Sequence, residues 1–213
     1  MNATRVSIRA GRKPGMILMF ALLLLTGCQS ETPETGELVV TVTGTVGGGW
    51  DEYGIFFKGK EAINMDGQPF TLVFIFDGSK GEVQGDTDSS DLSGVGPQAP
   101  GKAVLTIGGG SYTFGGEKFS RWNIYRSRAF VVISVSEKDI NRFFDSSPAV
   151  DVRMGGRSLS ESPDWRASLP RTDVEGDVIN SFVISHSCCA KVTRGYLNVR
   201  TLEIRGPKSW WQW

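Results

Sequence analysis

His186, Cys188 and Cys189 lie within four residues and are the side chains best suited to nucleophilic, redox or metal chemistry. His186 is the sole histidine of the sequence, so a Ser-His-Asp triad would have to use it, and no Gly-x-Ser-x-Gly elbow accompanies it. A metal site with several histidine ligands is excluded for the same reason. We therefore expect His186 to be a strand residue near a sheet end, and a hydrolase that uses it is our third hypothesis.

The adjacent cysteines Cys188 and Cys189 are more typical of structural residues than of a disulfide or a metal site. Neighbouring Cα atoms are about 3.8 Å apart, whereas disulfides usually join Cα atoms roughly 4.4 to 6.8 Å apart, so a bridge would be strained. In a strand the two thiols would also face opposite sides. We expect one buried thiol and one free or partly covered thiol. A redox-sensitive vicinal disulfide, or a metal site shared with His186, is the alternative.

Three carboxylates lie close together in the segment Asp86-Thr87-Asp88-Ser89-Ser90-Asp91. A calcium-binding EF-hand loop beginning at Asp86 would need Gly at its sixth position and Glu at its twelfth, where this chain has Asp91 and Pro97. A looser calcium site is the alternative to a solvated loop. We expect residues 86–100 to be an exposed loop, and no metal ion or cofactor.

Aromatic residues are concentrated at two places that could recognise a ligand. Trp50 and Tyr53 lie beside two acidic residues in the first long turn, where they could form a surface on which sugars stack, or could pack into the core. Trp210, Trp211 and Trp213 end the sequence. They could form an interface, or the segment could fold back and cover the open end of the domain.

The N-terminal residues have the order of an export signal. A basic segment without acids precedes an unbroken apolar run at residues 16–25. A membrane-spanning helix needs about 20 apolar residues, and this run has roughly half of that number. A signal peptide is therefore expected, rather than a permanent membrane span.

The signal ends in Leu25-Thr26-Gly27-Cys28, which resembles the lipobox of bacterial lipoproteins. The resemblance implies cleavage before Cys28, a diacylglyceryl thioether on its sulfur and an acylated amino group, with palmitate as one of the acyl chains. Two or three chains make a stable membrane anchor. Gln29 follows, and not the Asp that retains Gram-negative lipoproteins at the inner membrane, so an outer-membrane location facing the periplasm or the cell surface is expected.

Removal of the four basic residues of the signal from 23 basic and 23 acidic residues leaves a formal charge of −4. The mature chain thus has no basic excess to attract phosphates, so nucleic acid is not an expected partner. We expect a signal peptide at residues 1–27, a flexible tether at 28–37, one domain at 38–205 and a Trp-rich tail at 206–213.

Alternating and β-branched residues predict an all-β domain, an antiparallel β-sandwich or jelly roll with one short helix. Strands are predicted at residues 38–46, 70–76, 103–107, 111–114, 121–125, 130–136, 178–185 and 195–204. In the strand 70–76 both faces are apolar, so it should be central and covered on both sides. A change of parity predicts a β-bulge near Arg200. The helix is predicted at residues 137–144, and residues 158–177 should form a second long connection.

Several short motifs resemble a domain common in PEP-CTERM sorting-domain proteins, which Gram-negative bacteria export. They are Thr43-Gly44-Thr45-Val46, Asp51-x-x-Gly54-Ile55-Phe56, the segment from Gly67 to Asp77, and that from Leu105 to Phe114. The resemblance implies a β-sandwich and export, and carries no active-site residue. This sequence departs from the family in having no Pro-Glu-Pro and no C-terminal apolar helix, which a lipid on Cys28 would replace.

The leading hypothesis is a lipid-anchored, non-enzymatic protein of the cell envelope with a structural or binding role. Its expected partners are the membrane, through the lipid, and an envelope protein or polysaccharide. The alternative is a carbohydrate-binding or surface-recognition module that uses Trp50, Tyr53 and the tail.

Overall fold

A computed structural model describes residues 37–60, 62–77, 82–86, 89–95, 101–115, 120–127, 130–137, 148–155, 168–176, 180–185 and 191–206. All of these ranges belong to one compact unit, Pro33–Trp213. The other unit, Met1–Thr32, includes the predicted export signal and lies outside the described residues.

The described residues form 14 strands and no helix, which confirms the all-β fold. The strands are β1 (Glu37–Asp51), β2 (Ile63–Asn64), β3 (Pro69–Asp77), β4 (Glu82–Gly85), β5 (Ser89–Val95), β6 (Gly101–Ile107), β7 (Gly110–Gly115), β8 (Ser120–Ser127), β9 (Phe130–Glu137), β10 (Ala149–Gly155), β11 (Leu169–Asp173), β12 (Glu175–Gly176), β13 (Ser181–Ser185) and β14 (Val192–Arg205).

Eleven of these strands follow one another in a single hydrogen-bonded path, in the order β4-β5-β8-β9-β10-β13-β14-β1-β3-β6-β7. The three short strands join it at the side, β2 on β1, β11 on β14 and β12 on β10. All pairs are antiparallel, and the sheet curls into a half-barrel in which β7 approaches β8 and β9. The first and last strands, β1 and β14, pair in the interior of this path.

The concave face of the sheet holds the core, and β3 is its clearest contributor. Phe70, Leu72, Phe74 and Phe76 are all buried, as the alternation along β3 predicts. The ring of Phe76 lies 5.1 Å from that of Trp122 on β8, so the contact joins two distant parts of the path. The strand is central, between β1 and β6, but its outer face is only half-buried, so the prediction that both faces are covered is wrong.

The bulge predicted near Arg200 is confirmed. Thr201 pairs with Thr43 whereas Val199 pairs with Gly44, which leaves Arg200 as the extra residue in β14. The Arg200 carbonyl accepts a hydrogen bond from Val174 N at 3.0 Å. The bulge therefore holds the segment between β11 and β12 against β14.

Two predicted loops contain strands instead. Residues 86–100 include β5, which pairs with β8 and buries Leu92, so the prediction of a loop is wrong there. The predicted connection at 158–177 includes β11 and β12, and β10 was not predicted. The strand predicted at residues 178–185 corresponds to β13, which the structure describes from Ser181 to Ser185. Glu137 ends β9, and the rest of the predicted helix, 138–144, lies outside the described residues.

Candidate functional site

Most of the predicted site residues lie outside the described residues: Cys28, His186, Cys188, Cys189, Trp210, Trp211 and Trp213. Trp50 and Tyr53 are described, at the end of β1 and in the turn that follows it. The described candidate residues therefore lie together at this end of β1.

The buried carboxylate of Asp51 organises the turn. Its Oδ1 accepts hydrogen bonds from Ile55 N at 2.9 Å and Thr193 Oγ1 at 3.0 Å, and its Oδ2 from Phe56 N at 2.8 Å and Phe57 N at 3.0 Å. A buried carboxylate needs such partners, because transfer out of water is otherwise costly. The carboxylate thus fixes three backbone amides of the turn and one hydroxyl of β14.

Further hydrogen bonds tie the same turn to β14. Glu52 Oε2 accepts from Val192 N at 2.8 Å, and Tyr53 N donates to Thr193 Oγ1 at 3.3 Å. Gly54 has a φ of 67°, in the left-handed region that suits glycine. The motif Asp51-x-x-Gly54-Ile55-Phe56 therefore has a structural explanation, since its Asp accepts from the amides of its last two residues.

Trp50 and Tyr196 are the two large hydrophobic residues exposed in the described part of the chain, with 51% and 62% of their surfaces accessible. Trp50 pairs with Arg194 across β1 and β14, and Tyr196 pairs with Gly48. The two rings are therefore diagonal neighbours on one face, at a Cα separation of about 7 to 8 Å. Tyr53, by contrast, is half-buried and its hydroxyl is buried. The exposed aromatic residue beside Trp50 on this face is therefore Tyr196 and not Tyr53.

Glycines of β1 lie opposite Tyr196 and next to Trp50. Gly48, opposite Tyr196, has no side chain to cover the ring, and no atom lies within 4 Å of the position that its Cβ would take. A Cβ on Gly49 would collide with the carbonyl oxygen of Arg194, so glycine is required for the close approach of β1 and β14. The glycine run thus brings the strands together and leaves the rings open to solvent.

Polar side chains surround the two rings. Ser181 pairs with Tyr196 from β13, and Asn64 pairs with Trp50 from β2. Arg194 and Asn198 lie two residues to either side of Tyr196 and are exposed. In the described part of the chain neither an acidic side chain nor an aromatic ring engages the Arg194 guanidinium. We call Trp50, Arg194 and Tyr196 the aromatic platform.

A second group of aromatic and arginine side chains lies on the outer face, on β8, β9 and β10. The rings of Tyr125 and Phe130 stack with their centroids 5.4 Å apart. The Arg153 guanidinium lies over the Phe130 ring, 4.9 Å from its centroid, in a cation–π contact. We call these three residues the packed cluster, because their interacting surfaces are turned towards one another.

Two carboxylates of residues 86–91, where a loose calcium site was the alternative to a solvated loop, accept hydrogen bonds from the protein itself. Asp86 Oδ1 accepts from Ser89 N at 2.8 Å, in the turn between β4 and β5, and Asp91 Oδ1 accepts from Asn123 Nδ2 at 2.8 Å. Partial burial raises the pKa of Asp91, and the hydrogen bond from Asn123 opposes this shift. The described residues contain no group of three or more His, Cys, Asp or Glu side chains placed to hold a metal ion.

Tyr112 on β7 and Glu137 at the end of β9 interact across the curl of the sheet. Burial, the negative charge of Glu137 and a hydrogen bond from the Tyr112 hydroxyl to Glu137 together raise the pKa of Tyr112 to about 12. The pair joins β7 to β9 and takes no part in the aromatic platform.

The sequence analysis missed Tyr196 as a candidate site residue. The available signal was the alternation along the last predicted strand. Because Leu197 is buried, the side chain of its neighbour Tyr196 is on the opposite, outer face of the sheet. Its exposure depends also on the glycine across from it, which only the strand register reveals.

No protein-family model matches this chain, and no curated protein and no solved structure is detectably similar to it. Over the described residues, a helix with the length and apolar character needed to cross a membrane is not found.

Proposed function

We propose that this protein is a lipid-anchored, non-enzymatic binding protein of the bacterial cell envelope. The observation that carries the binding role is the aromatic platform. Two large rings stay exposed on a domain that buries its other large apolar side chains at least in part wherever the structure describes them. Tryptophan, tyrosine and arginine are the residue types most enriched where binding energy is concentrated.

The non-enzymatic role is supported by how the buried acid next to the platform is used. A general acid or base must reach the substrate proton, directly or through one water. Both oxygens of Asp51 already accept two hydrogen bonds each from the turn and from β14. Its carboxylate therefore serves the local structure rather than proton transfer.

The anchor is supported by the sequence Leu25-Thr26-Gly27-Cys28 behind a short apolar run. A lipid on Cys28 would join the domain through the tether to Glu37, at the start of β1. Trp50 lies near the other end of that strand, about 40 Å away at the usual rise per residue. In the proposed arrangement the platform is at the end of β1 remote from the tether.

Metabolic labelling with palmitate tests the anchor. The wild-type chain should incorporate label and Cys28→Ala should not, whereas Cys188→Ala should be labelled like the wild type. Equal labelling of wild type and Cys28→Ala would exclude the lipoprotein.

Co-sedimentation with isolated cell envelopes tests the binding role. We expect full-length Trp50→Ala, purified in a non-ionic detergent, to bind envelopes at least several-fold more weakly than the wild type. Phe130→Ala, which removes a ring from the packed cluster, is the matched control and should bind normally. Equal binding by all three proteins would remove the platform from the proposed function.

A further inference from the structure

We infer that the aromatic platform binds a neutral polysaccharide, which would lie across β14, β13 and β10; the inference rests on the binding role proposed above. The ligand is identified by three features of this face. These are the open rings, the polar row that continues from them, and the balance of charge.

The exposed rings select a ligand with flat apolar faces. A pyranose ring presents C–H groups on its faces and hydroxyls around its edge, so it can stack on an indole or phenol ring and still keep its hydroxyls accessible. Trp50 and Tyr196 offer two such rings on one face, and Gly48, opposite Tyr196, leaves room for a ligand. Two adjacent rings fit successive units of one chain.

A row of polar side chains leads away from Tyr196 along the strand register. Tyr196 pairs with Ser181, Ser181 with Asp151, and Asp151 with Ser134. Neighbouring strands are about 4.8 Å apart, so this row extends for about 14 Å across the outer face. Hydroxyl and carboxylate groups at this spacing can hydrogen-bond to successive sugar units, which favours a polymer over a single sugar.

The charges near the rings balance. Arg194 is adjacent to both rings, and the acid Asp151 follows Ser181 in the polar row, while Ser181, Asn64 and Asn198 are uncharged. Binding of nucleic acid or an anionic lipid surface requires several cations together. Arg153 also lies on the outer face of β10, two residues from Asp151, but its guanidinium lies over the Phe130 ring. The surface therefore carries few charges, of mixed sign, beside neutral groups, and so it suits hydroxyls better than phosphates or carboxylates.

Native gel electrophoresis through polysaccharide-containing gels tests the inference. The full-length protein in a non-ionic detergent is run through glucomannan, galactomannan or hydroxyethyl-cellulose as neutral polymers, and through polygalacturonate as the anionic polymer. Sedimentation with phosphatidylglycerol vesicles provides the membrane arm. We expect retardation by at least one neutral polymer, unchanged when the salt concentration rises from about 0.05 to 0.5 M, because no ion pair carries the binding.

Single substitutions assign the binding to the platform. Trp50→Ala and Tyr196→Ala should each weaken retardation by about ten-fold, as expected when one stacking ring is lost. Phe130→Ala should leave it unchanged, because Phe130 lies four residues from Ser134 along β9 and faces the packed cluster. Circular dichroism of all three variants checks that each is folded.

Three results would overturn the inference: no retardation by any neutral polymer, retardation that Trp50→Ala and Tyr196→Ala leave intact, or salt-sensitive binding to polygalacturonate or vesicles alone. If Trp50→Ala loses envelope binding but the wild type binds no polysaccharide, the ligand is a protein. The polysaccharide inference would then be rejected, and the proposed binding function would be kept. If the protein binds polysaccharide but takes up no palmitate, the proposed lipid anchor would be rejected and the polysaccharide inference would be kept.

Discussion

The aromatic platform and the packed cluster contain similar side chains on the same face of one sheet, but they use them differently. In the packed cluster, Arg153 lies over the Phe130 ring, which stacks on Tyr125. In the platform, Arg194 lies directly across from Trp50 in the register without stacking on it, and the Tyr196 ring is largely exposed. In the packed cluster the rings and the guanidinium contact one another, whereas in the platform the ring faces are left accessible to a ligand.

The cross-strand partners account for much of this difference. Tyr196 is paired with Gly48, so no side chain covers it from β1, whereas Tyr125 is paired with Val132, which lies beside Arg153 in the same row. Residue type therefore does not decide whether an aromatic and an arginine form a binding surface. The side chain opposite them in the neighbouring strand decides it.

The largest expected effect comes from the core that supports both groups. Phe74→Asp would place an unpaired charge where the Phe74 ring now stacks on Phe76, with centroids 6.0 Å apart. We expect a loss of at least about 4 kcal/mol and no folded protein by circular dichroism. Val73→Asp places the same charge on the half-buried outer face and should remain folded. A folded Phe74→Asp protein would contradict the assignment of the concave face as the core.

Asp51→Ala should produce the next largest effect and should separate the two groups. It leaves three backbone amides of the turn and the Thr193 hydroxyl without their acceptor, at a cost of about 3 kcal/mol in the free energy of unfolding. Asp66→Ala, at an exposed position, is the control. Hydrogen exchange should increase in residues 52–57 and at the start of β14, and not around Phe130. Uniform exchange over the domain would show that the turn is not a local unit.

Alkaline unfolding should report the Tyr112–Glu137 contact, which belongs to neither group. An unfolded tyrosine ionises near pH 10, whereas the pKa of Tyr112 in the folded protein is about 12. Because the folded pKa is the higher one, stability should be intact below about pH 10 and fall between pH 10 and 12. Urea unfolding across this range should show a shallower fall for Tyr112→Phe. Identical pH profiles for the two proteins would remove Tyr112 as the cause.

The smallest effects compare the two groups directly. Phe130→Ala loses a stacked ring and a cation–π contact and should reduce the free energy of unfolding by about 1 to 2 kcal/mol. Tyr196→Ala should change it by no more than about 0.5 kcal/mol, because the ring is mostly in solvent. Urea denaturation measures both. Equal losses would mean that the platform is packed as tightly as the cluster.

The strands that could be predicted are those whose own residues alternate. In β3 the alternation of apolar residues predicts the buried face, which consists of Phe70, Leu72, Phe74 and Phe76. In β14 the change of apolar parity predicts the bulge at Arg200. Both signals are local, since they depend only on which way consecutive side chains point. The prediction therefore needed no knowledge of the neighbouring strands.

The features that could not be predicted depend on contacts between distant segments. In β5 Leu92 is buried, and a Cβ on Gly94 would collide with the Trp122 ring on β8. In the sequence this glycine is indistinguishable from one in a loop. Tyr196 likewise reads as an ordinary strand residue until the register places Gly48 opposite it.

The pairing of β1 with β14 has a consequence for synthesis and for the proposed export. β1 is made among the first segments of the domain and remains without this partner until β14 has been translated. The ladders of β14 with β1, β11 and β13 can form only after β14 has been made, and proteins dominated by non-local pairing fold slowly. The complete sheet of a nascent chain therefore forms late, which would help the chain to remain competent for the proposed export until the β1–β14 ladder forms.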